Sequence, residues 1–414
     1  MKNIPRLAYF PDSFLEVNGV AMTSKRFIQY AKERGFPVLC VYAGKQNRTH
    51  TDGSITYLSL KRSPLRFDLD EELAFDPFFQ RHTGRVRRVL QQFQPSIVHI
   101  TGLNDVSIIG NYLAWKMRLP LIGSWHTNIH EFATRRLMKL GRLLPKRQLE
   151  SLSNLIERKI FSGAMFYYKI PKVILAPNEE LVDSLARCTG RKARLMIRGV
   201  DAELFNPNKR TVNDKIVRIG FAGRLRVEKN VRLLIDLEKR LLQAGKRNFE
   251  FLIVGEGTEY EYLSKNMKNA VFTGFLEGEK LAVAYANMDI FVFPSETDAF
   301  GNVVQEATAS GVPAIVTAKG GPKFLVQHGT TGFIASDVNE FARYTIRLME
   351  NPLERSKMGK LALEFSRSRS WSRVFDGVYD AYRECIEIAA MKQSQTSENN
   401  DPRACAAKSK AAES

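Results

Sequence analysis

The sequence predicts an α/β protein made of two tandem, doubly wound parallel-sheet units facing a central cleft. Three observations lead there. The chain has 414 residues, too many for one ordinary core, and 44% of them are hydrophobic, enough to fill two. Short apolar runs alternate with amphipathic stretches of helical period, as in β-α-β units. The alternation also starts twice, once at residue 6 and again near residue 215.

The first unit opens with the strand "RLAYF" (6–10) and the loop "PDSFLEVNGVA". An amphipathic helix, "MTSKRFIQYAKERG", follows, closed by Gly35 as its C-cap. The strand "PVLCVYAG" (37–44) completes a β-loop-α-β unit. "SIVHITG" (96–102) and "PLIGSWHT" (120–127) are further strands. Their polar ends belong at the carboxyl edge of the sheet, where open α/β sheets bind ligands. The second unit starts with the strand "KIVRIGFAG", the loop "RLRVEKN", the helix "VRLLIDLEKRLLQAG" and the strand "FEFLIVGEG". "AVFTGF", "DIFVFPS" and "PAIVTA" continue the alternation. The join at "FNPNKRTVND" (205–214) is polar and rich in Pro and Asn, as a linker should be. The expected organisation is therefore a unit over 1–205, a unit over 206–369 and an amphipathic helix at 370–390 packing back on the first unit. The tail, 391–414, is rich in Ser, Ala, Asn and Lys, lacks periodicity and reads as disordered.

No run of about eighteen apolar residues occurs, so no membrane span is expected. The start, "MKNIPRLAYFPDSF", is too short and too broken by Pro for a secretory segment, which points to the cytoplasm. Cys40, Cys188, Cys385 and Cys405 have no close spacing and read as free thiols rather than a disulfide framework or a zinc site. The net charge is +18, unevenly distributed. Residues 1–205 hold 32 Lys and Arg against 18 Asp and Glu; residues 206–414 hold 30 against 26. The first half is the one expected to meet an anion: nucleic acid, an anionic membrane surface or a phosphorylated substrate. The plainer alternative is a basic surface that only confers solubility.

Three stretches carry chemistry. In "NGVA" (18–21), Gly19 lets the backbone approach a phosphate or sugar closely, although a lone Gly turn is often only a turn. In "GRLRVEKN" (223–230), Gly223 ends a strand and Arg224 and Lys229 follow in the loop. Two cations at a strand edge can neutralise a diphosphate leaving group, and they are also what an ordinary surface loop contains. In "SETDAFGNVVQEATASG" (295–311), Gly301, Asn302 and Val303 form the first turn of a helix, whose free N–H groups can face an anion. Asp298 lies before that turn and Glu306 about one turn into the helix. The two carboxylates therefore do not stack on one face and would reach different parts of one extended ligand.

In this order and spacing, these motifs resemble retaining glycosyltransferases of the large group-1 family, of type GT-B. That clan includes phosphatidylinositol mannosyltransferases, sulfoquinovosyl transferases and bacterial lipid-sugar mannosyltransferases. "GRLRVEKN" and "SETDAFGNVVQEATASGVPAIVTAKGGPKFLVQHGTTGF" carry the likeness. "PDSFLEVNGVA", "GSWHTNIHEF", "RGVDAELFNP" and "LIVGEGTEY" extend it over roughly residues 5–385. The resemblance implies a nucleotide-sugar donor, with GDP-mannose favoured over a UDP-hexose. It implies that Arg224 and Lys229 hold the donor diphosphate, that Glu306 takes the ribose and that Asp298 takes the hexose. This chain has Asp where the family has the first Glu of its Glu, seven residues, Glu motif. The backbone at Phe300, Gly301 and Asn302 would contact sugar and phosphate. Gly19 matches the first-unit loop near the phosphate, and His126 matches a His near the transferred sugar. On the residues alone, His126 reads as an ordinary structural His at a strand end. The implied reaction is hexose transfer with retention. No side chain is an obvious nucleophile, and the leaving phosphate helps to deprotonate the acceptor. Neither cofactor nor metal is expected, since no Asp-x-Asp or His cluster stands at a matching place.

The segment 132–172 holds ten Lys and Arg against two acids, interleaved with Leu, Ile, Phe and Tyr, and includes Arg135, Arg136, Lys139 and Arg142. "RHTGRVRRVLQQF" (81–93) is a second basic amphipathic stretch. Such stretches fit an anionic membrane surface, or else are solvated helices packed on the sheet. Together with the family's use of this region for the acceptor, they predict a lipid or lipid-linked acceptor and a peripheral place on the inner face of the cell membrane. The alternatives are a UDP-hexose enzyme with a soluble acceptor and a non-catalytic sugar-nucleotide binder on the same fold. A nucleic-acid binder lacks its module. A dinucleotide dehydrogenase would need Gly-x-Gly-x-x-Gly after the first strand. A glycosidase would need its two acids across one sugar bond.

Overall fold

The computed structural model describes residues 4–16, 19–70, 73–125 and 158–399. It divides into two compact units, one of Met1–Met196 with Phe375–Ser414 and one of Ile197–Val374. The polar stretch at 205–214 is therefore not where the chain changes unit. Val200 and Phe205 are apolar and bury in the second core, which draws 197–205 into the second unit.

The first unit is built on an eight-stranded sheet of order β10-β9-β8-β7-β1-β2-β4-β3. Its strands are β1 (Leu7–Phe10), β2 (Val38–Gly44), β3 (Arg48–Asp52), β4 (Ile55–Lys61), β7 (Ile97–Ile100), β8 (Leu121–Ser124), β9 (Val173–Ala176) and β10 (Lys192–Leu195). All neighbours run parallel except β3 and β4, which form an antiparallel edge hairpin. A small ribbon, β5 (Phe67–Asp70) with β6 (Leu73–Phe75), stands apart. Strands β1, β7, β8 and β9 are buried along their whole length, which is why they read as continuous apolar runs.

Helix α1 (Gly19–Glu33) starts three residues before the expected helix, so Gly19 is its first residue rather than part of the loop. Helices α2 (Thr83–Phe93) and α3 (Asp105–Lys116) add Val86, Leu90, Ile109 and Leu113 to one core with Leu39, Val41, Leu58 and Val98. Helix α2 thus spends its apolar stripe on that core and leaves Arg87 and Arg88 exposed. Helix α4 (Glu179–Thr189) follows β9 and starts on Asn178, whose side chain accepts from the Leu181 N–H as an N-cap.

The second unit carries a six-stranded, all-parallel sheet of order β13-β12-β11-β14-β15-β16. Its strands are β11 (Val217–Ala222), β12 (Phe249–Val254), β13 (Ala270–Gly274), β14 (Ile290–Phe293), β15 (Ala314–Thr317) and β16 (Gly332–Ala335). Its helices are α5 (Leu233–Gln243), α6 (Tyr260–Asn266), α7 (Gly278–Ala286), α8 (Asn302–Ala309), α9 (Val338–Glu350) and α10 (Pro352–Arg367). Phe221, Phe251, Phe291 and Phe293 fill the centre of its core.

The last helix, α11 (Trp371–Asn399), crosses from the second unit and packs on the first from Phe375 onward. Phe27 of α1 meets Phe375, Tyr379 and Tyr382 at 5.3, 5.9 and 6.3 Å between ring centroids. Tyr382 also reaches the sheet: its hydroxyl lies 2.7 Å from His99 Nδ1, and His99 Nε2 lies 2.6 Å from Ser124 Oγ. Burial pushes His99 down to about 3, so this link is neutral at physiological pH. Residues 391–399, expected to be disordered, continue this helix: "MKQSQTSEN" contains no Gly or Pro to stop it. Residues 400–414 lie outside the described residues.

Candidate functional site

In each sheet one pair of neighbouring strands sends its connections to opposite sides, and open α/β sheets bind ligands beyond the carboxyl ends of such a pair. In the second unit the pair is β11 and β14. The loop after β11 begins at Gly223 and carries Arg224 and Lys229; the loop after β14 carries Asp298. The sheet order itself makes these two distant stretches neighbours.

Side-chain and backbone contacts finish the placement. Lys229 closes a short turn of 3-10 helix (Val227–Lys229), held by Asn230 in the left-handed conformation at φ 53°. Its Nζ donates to both oxygens of Asp298, at 2.6 and 2.8 Å. Thr297 Oγ1 donates to the Glu228 carbonyl at 3.1 Å, a second tie between the same loops. From below, the Gly321 N–H donates to the Asp298 carbonyl at 2.7 Å. A Cβ on Gly321 would come within 2.0 Å of the Ala299 carbonyl oxygen, so only glycine lets the "KGG" segment pass so close beneath the loop.

Enclosure of Asp298 by itself raises its pKa. The charge and hydrogen bonds of Lys229, with the charge of Arg224 behind them, outweigh that and hold Asp298 below the usual carboxylate range. Asp298 is therefore an anion at neutral pH, already matched to one of the two candidate phosphate cations.

Gly301, at φ 102°, turns the chain into α8. Phe300 is buried in the core, so it can offer a ligand backbone atoms but not its ring. Val304 N–H folds back to the Gly301 carbonyl at 3.0 Å. The N–H groups of Asn302 and Val303 have no partner among the described residues and are the ones free for an anion.

Glu306 sits one turn further along α8, half-buried. Its Oε2 accepts a hydrogen bond of 2.8 Å from the hydroxyl of Tyr285 on α7. Burial pushes Glu306 up to about 7, and the Tyr285 hydrogen bond offsets only part of that rise. Asp298 and Glu306 thus belong to one loop-helix unit but differ in charge state: the first is held ionised by a cation, the second titrates near neutrality.

Of the sequence-predicted site residues, the structure brings Arg224, Lys229, Asp298, Phe300, Gly301, Asn302, Val303 and Glu306 to this one sheet edge. Gly19 heads α1 in the first unit. His126, Arg135, Arg136, Lys139 and Arg142 lie outside the described residues. Sequence reasoning missed Tyr285, Thr297 and Gly321. The Gly-Gly pair after β15 was a visible signal for the last; Tyr285 gave none, because its partner lies 21 residues away on another helix. Among the described residues, no group of three or more His, Cys, Asp or Glu could hold a metal ion. No helix among them is long and apolar enough to cross a membrane.

Residues 216–351 match the family described as Glycosyl transferases group 1, and residues 17–204 match Glycosyltransferase Family 4. A GDP-mannose-dependent alpha-mannosyltransferase of Corynebacterium glutamicum is 29% identical over 399 residues, 93% of this chain and 90% of that protein. A protein of the same description from Mycobacterium tuberculosis is 28% identical over 91% of this chain and 97% of its own length. A sulfoquinovosyl transferase of Arabidopsis thaliana is 27% identical over 88% of this chain and 71% of its own length. Among solved structures, a sucrose-phosphate synthase of Thermosynechococcus elongatus matches with a TM-score of 0.70 at 17% identity, covering 92% of this chain and 99% of its own. The lipopolysaccharide glycosyltransferase WaaG matches with a TM-score of 0.62 at 13% identity over 91% of this chain and 99% of its own. These likenesses show the fold, GT-B. With family matches running through both units and the motif residues gathered at one sheet edge, the chain belongs to the group 1 glycosyltransferases.

Proposed function

We propose that this glycosyltransferase moves mannose from GDP-mannose, with retention of configuration, to a lipid or lipid-linked acceptor at an anionic membrane surface. The observation that carries the donor half is the single loop-helix unit holding Asp298, the free N–H groups of Asn302 and Val303, and Glu306, with Lys229 bonded to it. An extended nucleotide sugar fits such a row: hexose at Asp298, phosphates at the helix start and the two cations, ribose at Glu306. The mannosyltransferase relatives favour guanine and mannose.

In the reaction, the bond between the anomeric carbon and the diphosphate oxygen breaks, and its electron pair leaves with the nucleoside diphosphate. The acceptor oxygen bonds to the same face of that carbon, and its proton passes to the departing phosphate. Negative charge grows on the diphosphate, where Arg224, Lys229 and the first turn of α8 can meet it. Donors preorganised in this way contribute about 3–4 kcal/mol each to the transition state. Lys229 is paired with Asp298 before the donor arrives, so it must divide its hydrogen bonds between carboxylate and phosphate once the donor is bound. Transfer assays on Arg224→Ala and Lys229→Ala test this half. A fall in kcat/KM of about 10²–10³ is expected in each, and near-wild-type values in both would sink the assignment. A thermal-shift panel of GDP- and UDP-sugars tests the base, since only a bound ligand raises Tm.

The acceptor half rests on the charge of the first unit. Arg87 and Arg88 stand exposed on α2, and Trp115 on α3 is 70% exposed. Since α2 has spent its apolar stripe on the core, its attraction to a bilayer is electrostatic and falls with salt. No metal is required in this scheme. Flotation with anionic vesicles at low salt is the test: the protein should rise with them and be released at high salt, and failure to float would count against a lipid acceptor.

A further inference from the structure

We infer that Tyr285 is a positioning residue for donor recognition: its hydroxyl holds one oxygen of Glu306 from inside the protein and so aims the other at the ribose. This rests on the reading of Glu306 as the ribose acceptor given above.

Tyr285 is fully buried on α7. Its ring is fixed edge-on to Phe205, 5.7 Å between centroids, and against Phe291 at 5.8 Å. For that packing alone a Phe would serve, and it would not oblige the core to satisfy a hydroxyl. The hydroxyl's one partner is Glu306 Oε2, at 2.8 Å. Glu306 Oε1 has no partner among the described residues, and the side chain is half-buried rather than enclosed. One oxygen is thus tied inward and the other is left to accept from outside. An unrestrained Glu on a helix samples many rotamers, and ordering it must be offset at each binding event. Here a rigid aromatic has already ordered it. Because Tyr285 donates a neutral O–H and not a charge, it orients the carboxylate without cancelling its capacity to accept from two vicinal hydroxyls.

The same contact has a titration signature. Among the described residues Tyr285 is the one titratable group acting on Glu306, and its hydrogen bond favours the ionised carboxylate. Without it Glu306 gains its proton at higher pH, so the rise of nucleotide affinity with pH should move upward. A purely structural tyrosine would not produce that movement.

The experiment measures binding of GDP, UDP and their 2′,3′-dideoxy counterparts by calorimetry, in wild type, Tyr285→Phe, Glu306→Ala and the double variant. The wild type should lose about tenfold or more in affinity when the ribose hydroxyls are removed, for the base it prefers. Tyr285→Phe should weaken binding of the intact nucleotide several-fold, hardly change binding of the dideoxy form, and raise the donor KM with kcat within about twofold. In the Glu306→Ala background, Tyr285→Phe should add nothing. Full ribose discrimination in a folded Tyr285→Phe, or additive losses in the double variant, would overturn the positioning role while leaving Glu306 as the ribose group. A wild type indifferent to the ribose hydroxyls would overturn the Glu306 reading and this inference with it.

Discussion

The two units use the same topological opportunity in opposite ways. In the first, the diverging pair is β1 and β7, and the loops beyond their carboxyl ends are sewn together by Asp12. Its carboxylate accepts from the Leu103 N–H at 2.9 Å, from the Ser107 hydroxyl at 2.5 Å and from the Asn104 backbone; its own N–H donates to Thr101 Oγ1 at 2.8 Å. Gly102 lies so close that a Cβ there would come within 1.8 Å of Asp12 Oδ2. In the second, the loops beyond β11 and β14 are joined by the half-buried Lys229–Asp298 pair, beside helix N–H groups that have no partner among the described residues. Among the described residues, the first carboxylate accepts from neutral N–H and O–H groups and the second from a cation. The lesson is that a sheet's diverging point offers a crevice, and the loop chemistry decides whether it is stitched shut or keeps the donors that the proposed ligand site needs.

The comparison breaks most visibly at Asp298. Asp298→Ala should lower kcat/KM by about 10²–10³, with a stability loss of no more than about 1–3 kcal/mol for a half-exposed pair, read by steady-state transfer and urea unfolding. Asp12→Ala should show the reverse weighting: three donors lose their acceptor, so unfolding becomes easier by about 2–4 kcal/mol. Its effect on kcat should be the smaller of the two.

A subtler pair of tests uses pH. Enclosure raises Asp12 to about 7. A carboxyl whose folded pKa lies above its unfolded value of about 4 contributes stability that is full below about pH 4 and lost as pH rises through 7. Asp298, held below the usual range, contributes stability that is present above about pH 4 and lost as pH falls through its folded value. Asp12→Asn should therefore flatten the decline in unfolding free energy between about pH 4 and 7, measured by urea titration at several pH values. Asp298→Asn should leave that slope alone and alter only the acid limb. The smallest effect belongs to Asp298→Glu. The longer side chain, which the motif resemblance implies at this position, keeps the charge and can still pair with Lys229, so kcat/KM should change by less than about tenfold. A larger loss would mean that the short side chain is matched to the hexose.

Much of this was legible in the chain. Strands β11, β14 and β15 are apolar runs bounded by Gly or Pro, and the turn at Gly301 announces its helix. What could not be read has physical causes. Strand β3, "RTHTD", is exposed at every residue and has no alternation; it is a strand only because β4 offers an edge to pair with. Asp12 meets Leu103 across 91 residues, and no local pattern encodes such a contact. The motif named Lys229 and Asp298 separately, but their bond follows from the strand order β11-β14, which the sequence does not state. The same limit hid Tyr285.

The aromatic partners of Phe27 bear on how the chain is made. Phe375, Tyr379 and Tyr382 leave the ribosome only after all of Ile197–Val374 has been synthesised. At elongation rates of about 5–20 residues per second that interval is on the order of 10–35 s. Throughout it the nascent first unit lacks its covering helix and presents an apolar face around Phe27, while the second unit, contiguous in sequence, can already close. The last unit to emerge is thus the first able to finish, while the first to emerge stays uncovered at Phe27 until the helix that begins at Trp371 has followed it out.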